Sequence, residues 1–213
     1  MASLKKLLQT KPGTDRGSNP NRAVIGLRNP GPDYEGTRHN SGYEVLARVL
    51  ERAGEKLGRG PSRVRAQITQ VGSGDSRLLY AVPMTYMNES GRAVRALLDY
   101  FGLSPQSILV VHDDIDLPFG RLRLQVGGGT GGNNGVRSIE TALGTRDFSR
   151  LKIGVGRPPG QMDPADFVLR PFTKAERSEV ELMIEDAADV IELWPIDPDR
   201  AQEMAALRGR ERS

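Results

Sequence analysis

The chain has 213 residues, 37% of them hydrophobic, which suffices for one ordinary domain with a real core. It contains no cysteine, so disulfides, a thiol nucleophile and thiolate metal sites are excluded, and no apolar run approaches the roughly 20 residues of a membrane-spanning helix. Lys and Arg number 30 against 27 Asp and Glu, a net charge of +3 with a pI of about 9.3, which is compatible with nucleic acid without demanding it.

Residues 1–22 carry Lys5, Lys6, Lys11, Arg16 and Arg22 against Asp15, and turn rich in Gly, Pro, Ser and Asn. They read as a flexible basic extension, with organelle targeting by the LKKLLQ stretch the lesser reading. A single domain is expected over 23–207, followed by a charged tail, 208–213, that should fray.

Ala23 to Leu27 is a short apolar run ended by Asn29-Pro30-Gly31-Pro32, the pattern of a buried strand entering a turn. A helix is expected from about Ser41, because Val45, Leu46, Val49, Leu50 and Ala53 recur at helical spacing and Gly54 supplies a stop. Val64, Ala66 and Ile68 alternate as a strand does, and Arg77 to Val82 gives it a partner. Beyond Met84-Thr85-Tyr86-Met87-Asn88, a helix from about Ser90 buries Val94, Leu97, Leu98 and Phe101 and stops at Gly102.

Ile108 to Val111 reads as a central strand with His112-Asp113-Asp114 at its end. Leu122 and Leu124 alternate with arginines in another strand, and Gly127 to Gly135 leads into a helix through Ile139 and Leu143. Leu151 to Val155 is a last strand, 156–164 a loop, and Val180, Met183, Ile184, Ala187, Ile191 and Trp194 the stripe of a long late helix. Alternating strands and helices with one hairpin-like pair predict an α/β fold, a three-layer sandwich with a mixed, mostly parallel sheet between helices.

Only two histidines are present, His39 before a helix and His112 at a strand end. Asp113 follows an apolar strand, at the sheet edge where open α/β folds bind ligands; a carboxylate there can orient an imidazole, or simply cap a turn. Asn29, Asn40, Asn88, Asn133 and Asn134 are common turn residues, but converged they would offer uncharged donors for an amide backbone and an oxyanion. The glycine-rich segment could approach phosphate, yet it lacks the Lys-Ser/Thr of a P-loop, so no nucleotide cofactor is expected. His112-Asp113 and Asp114-Ile115-Asp116 are the two metal-like motifs, and with two histidines and no visible further ligands no metal is expected. No Gly-x-Ser-x-Gly elbow is present, which favours attack by activated water.

Taken in order, GLRNPGPDYEGTRHNSG (26–42), PMTYMNESG (83–91), VHDDIDLPFG (111–120) and GGGTGGNNGVRSI (127–139), with IGVGRP (153–158) and DFVLRPF (166–172), closely resemble the bacterial-type peptidyl-tRNA hydrolase family. The resemblance covers 23 to about 195. It implies a cytoplasmic monomer, without metal or cofactor, that hydrolyses the ester of peptidyl-tRNA to recycle tRNA from stalled translation. His39 then matches the base and Asp113 its supporting carboxylate, with Asn29, Asn88 and Asn134 placing the substrate and Met87 and Tyr34 lining the cleft. Lys152 matches a basic residue for the tRNA phosphate and Arg123 is a second candidate, with Arg121, Arg137 and Arg150 as further members of the patch or ordinary surface charge. Three positions depart from the family pattern: Asn133 where His is usual, Thr130 where a charged residue or His is common, and Gln125 where a basic phosphate contact is frequent. A non-catalytic relative that uses the fold for RNA or protein binding is the alternative, and the retained His39 and Asp113 favour the enzyme.

Overall fold

In the computed structural model the described residues are 19–208; the expectations for 1–18 of the extension and 209–213 of the tail lie outside them. The first strand, β1 (Arg22–Gly26), leads through the Pro-Gly-Pro turn and a short 3-10 turn, Arg38–Asn40, into α1 (Ser41–Ala53). Two further helices follow the expected stripes, α2 (Ser90–Phe101) and α3 (Asn134–Leu143). All three end on a left-handed glycine, Gly54, Gly102 and Gly144, with φ near 70°.

The remaining strands are β2 (Gly58–Arg59), β3 (Ala66–Val71), β4 (Leu78–Pro83), β5 (Ile108–Asp114), β6 (Leu122–Val126) and β7 (Ser149–Gly154), and the sheet order is β2-β3-β4-β1-β5-β7-β6. Strands β4, β1, β5 and β7 are parallel, whereas β3, β2 and β6 join antiparallel at the flanks. The parallel character is therefore confined to the middle of the sheet, where burial is deepest.

Strand alternation divides the core in two. Val24, Leu109, Val111, Leu151 and Ile153 face α1, α5 (Arg177–Leu193) and α6 (Pro198–Leu207). Ala23, Ile25, Ile108 and Val110 face α2 and α3. The three-layer arrangement follows, since each sheet face must be covered by an amphipathic helix pair.

Two of the elements that go beyond the sequence expectation bear on the site and its support. Strand β5 continues through His112, Asp113 and Asp114, which pair with Lys152, Ile153 and Gly154 of β7, so the polar triplet lies inside the ladder. Helix α6 hides its contacts in alanines, Ala201 and Ala205 being fully buried, and small residues give little amphipathic signal. Its start is nonetheless marked: Asp197 caps Arg200 N at 3.0 Å and Pro198 opens the first turn.

Candidate active site

Two glycines bring the His39 turn onto the sheet. A Cβ on Gly42 would lie 2.2 Å from Val111 O, and one on Gly26 would lie 2.7 Å from Gly42 O. The start of α1 thus rests directly on β1 and β5. On the other flank Arg38, although buried, donates to the carbonyls of Arg170 and Pro171 at 3.1 and 2.8 Å and meets both Glu176 oxygens at 2.9 Å. Its guanidinium stacks on Phe167 at 4.3 Å from the ring centroid. The turn carrying His39 is held between sheet and C-terminal segment.

His39 Nδ1 lies 2.8 Å from Asp113 Oδ1, across 74 residues of sequence. An ionised carboxylate only accepts, so Nδ1 carries the hydrogen and Nε2 keeps its lone pair for the cleft. Burial lowers the imidazole pKa, while the charge of Asp113 and its hydrogen bond raise it; the net is a pKa above the usual 6.5. His112, fully buried, hydrogen-bonds the Asp113 carbonyl through Nδ1 at 2.7 Å. Desolvation, only partly countered by Asp113, brings its pKa down to about 4, so it stays neutral, and it is not among the residues lining the cleft over His39.

A cleft of about 560 Å³ opens over His39 and Asp113, at the C-terminal edge of the parallel strands. Asn29, Met87, Asn88 and Asn134 line it, together with Asn133. Asn40 clamps the Asn29 backbone, accepting from its N–H at 2.8 Å and donating to its carbonyl at 3.1 Å. Asn29 Oδ1 accepts from Met87 N at 2.8 Å, which leaves its Nδ2 hydrogens for the cleft. Asn88 and Asn134 are exposed at the starts of α2 and α3, while Met87 is buried beneath them. The opposite wall is Pro164, Ala165, Val168 and Leu169, from the short helix α4 (Pro164–Val168) and its exit, the segment that Arg38 ties down.

Other sequence expectations change. Tyr34 stacks edge-on against Tyr86 at 6.4 Å, and Tyr86, absent from the expected site, is the ring that lines the cleft. Lys152 is buried with Nζ 2.8 Å from Asp114 Oδ2, so its charge is largely met inside the protein; Arg123, opposite it in the ladder, is exposed. Arg150 is no surface charge at all: fully buried, it pairs with Glu140 at 3.3 Å and donates to the carbonyls of Gly128 and Gly129. Gln125 donates to Gly127 O at 2.9 Å, so the glycine segment is fastened by its carbonyls to the sheet. Asp116 pairs with Arg157, and among the described residues no cluster of three His, Asp or Glu is placed to hold a metal ion. The roles of Arg38, Asn133 and Arg150 were missed because each acts on residues distant in sequence; the one local signal was Arg38 within the Thr-Arg-His-Asn run.

Comparison with known proteins agrees over most of the chain. A family model described as peptidyl-tRNA hydrolase matches residues 23–212. A peptidyl-tRNA hydrolase of Nocardia farcinica is 51% identical over 170 residues, 80% of this chain and 88% of that protein. One of Frankia alni is 49% identical over 174 residues, 82% of this chain and 87% of that protein. The crystal structure of peptidyl-tRNA hydrolase from Acinetobacter baumannii superposes with a TM-score of 0.80 at 29% identity, covering 89% of this chain and 96% of that one.

Proposed function

Because the chain belongs to the peptidyl-tRNA hydrolase family and carries its activity, release of tRNA from peptidyl-tRNA, we propose how its own residues perform the reaction. The observation that carries the reading is the hydrogen bond from His39 to Asp113 at the floor of an asparagine-lined cleft.

His39 Nε2 takes a proton from a water as that water attacks the ester carbonyl. Asp113 holds the tautomer and stabilises the imidazolium that forms. The Asn29 Nδ2 group donates to the developing oxyanion, a role favoured by the fixing of its oxygen on Met87 N. When the tetrahedral intermediate collapses and the ester C–O bond breaks, the imidazolium gives its proton to the departing ribose oxygen, which leaves as a hydroxyl. Asn88 and Asn134 grip peptide amides, which lets one site accept many side chains yet require an acylated amino group. Met87 forms part of the floor.

For the tRNA, Arg123 is the better-placed phosphate contact, and Lys152 behind it, its charge shared with Asp114, adds little. The chemistry uses no metal or cofactor. No helix among the described residues is long and apolar enough to cross a membrane. From the family membership, and not from that absence, we propose a cytoplasmic monomer. The deciding experiment compares a purified N-acetyl-aminoacyl-tRNA with its unblocked counterpart, with and without EDTA. Rapid hydrolysis of the blocked ester alone, unaffected by the chelator, is expected. Equal hydrolysis of both would overturn the amide-gripping role of the asparagines, and restoration by added metal the metal-free mechanism.

A further inference from the structure

The glycine segment ends in two asparagines, and the mechanism above uses the second. Asn133 is 5% exposed and every one of its polar groups is engaged. Its N–H donates to Thr130 O at 3.0 Å and its carbonyl accepts from Arg137 N at 3.1 Å. Side-chain Oδ1 accepts from Gly135 N and Val136 N at 3.0 and 3.1 Å, capping α3. Side-chain Nδ2 donates to Asp113 twice, to carboxylate Oδ1 at 2.9 Å and to the backbone carbonyl at 3.2 Å. Two N–H groups face one end of the amide, so that end is the oxygen and the nitrogen must face Asp113.

We propose that Asn133 is a positioning residue for the hydrolytic centre: held rigid as the cap of α3, its amide fixes the Asp113 carboxylate toward His39 and tempers the charge that the imidazole meets. This rests on the reading of His39 as the base. The oxygen that Asn133 holds is the same Oδ1 that His39 uses. With His39 alone, the carboxylate could turn about its last torsion and offer either oxygen; a donor bound to both its oxygen and its own backbone stops that turn. The second donor also draws on the negative charge that would otherwise act on the imidazole alone.

Among good helix caps only asparagine can do both. Aspartate would set a like charge beside Asp113, and serine or threonine would cap but end short of it. The other charged or titratable groups around the pair are engaged elsewhere or stand apart. His112 uses the Asp113 carbonyl, Lys152 pairs with Asp114, Arg38 with Glu176, and Asp163 stands in the facing wall of the cleft.

The test uses Asn133→Asp and Asn133→Ser in the full chain, both of which retain a cap acceptor, with Asn133→Ala as the uncapped control. The chain has only two histidines, and His112 titrates near 4, so an imidazole NMR titration reports His39 cleanly whether or not substrate is turned over. In both capped variants the His39 titration should move upward, further in Asn133→Asp, with little change in thermal midpoint. At pH 7 kcat should fall roughly tenfold in Asn133→Asp, with KM held and the loss shrinking toward pH 8.5 as the base is freed. A His39 titration unmoved in whichever capped variant folds, or a kcat loss equal at every pH, would overturn the proposal. Absence of ester hydrolysis by the unaltered protein would instead remove the base reading, and the titration would still decide whether Asn133 acts on His39.

Discussion

Replacing Asp113 by asparagine tests the centre with almost no change of volume. With Nδ1 and Oδ1 2.8 Å apart, the charges of an imidazolium and the carboxylate are separated by about 4 Å, worth about 4 kcal/mol at an effective dielectric near 20. That attraction exists only once His39 has taken the proton, so it stabilises the transition state and not the resting site. Its loss predicts a fall in kcat of about a thousandfold, at 1.4 kcal/mol per decade, and of more if the amide favours the wrong tautomer. The pH profile gives a second signature. Burial, which lowers the His39 pKa, would then act without the opposing charge, so the acid limb of kcat/KM should move from above 6.5 to below it. Stopped-flow hydrolysis of N-acetyl-aminoacyl-tRNA between pH 5 and 9 measures both. A variant within tenfold of the parent in kcat, or one whose acid limb stays put, would refute the reasoning.

His112→Asn keeps a donor near the Asp113 carbonyl and removes a titration. Because the folded pKa of His112 is depressed to about 4, its contribution to stability is present above about 6.5 and is lost as pH falls toward 4, by about 3 kcal/mol. Urea unfolding should therefore show the variant gaining on the parent between those values. His39 behaves oppositely. Its raised pKa adds stability below 6.5 that disappears as pH rises through the folded value, so His39→Ala should erase that alkaline decline along with activity. Gly42→Ala should cost about 1–3 kcal/mol and depress kcat, since a Cβ 2.2 Å from Val111 O lifts α1 and the His39 turn from the sheet. A stable, fully active variant would show that the close approach does not set the site. Arg123→Ala should lower the slope of log affinity for tRNA against log salt by about one, whereas Lys152→Ala should change the slope little and destabilise the fold by stranding Asp114. The opposite ranking would mean Lys152 leaves its carboxylate to meet phosphate.

The site was legible as a set of residues and illegible as an arrangement. His39 and Asp113 carry their chemistry in their types, and family resemblance joined them, yet nothing local places residues 74 apart at 2.8 Å. Asn133 looked like a departure from the family pattern in a glycine-rich segment. Its function depends on a donor direction that exists only once α3 starts where it does and β5 extends to Asp114. Lys152 matches a basic position of the family pattern, and such a match says nothing of what stands beside the residue. Strand pairing put Asp114 beside it.

What the sequence determined alone were the helices 41–53 and 90–101 with their glycine stops, the alternation of strands, and the family. Each rests on contacts along a few residues or on whole motifs, and such patterns survive in one dimension. The tertiary structure decided the strand order, the edge strand β2, the antiparallel pairing of β6, helix α6 and the partners of the buried charges. Those depend on which surfaces meet across the sheet, and a hydrogen bond between distant segments leaves no periodic trace in either one.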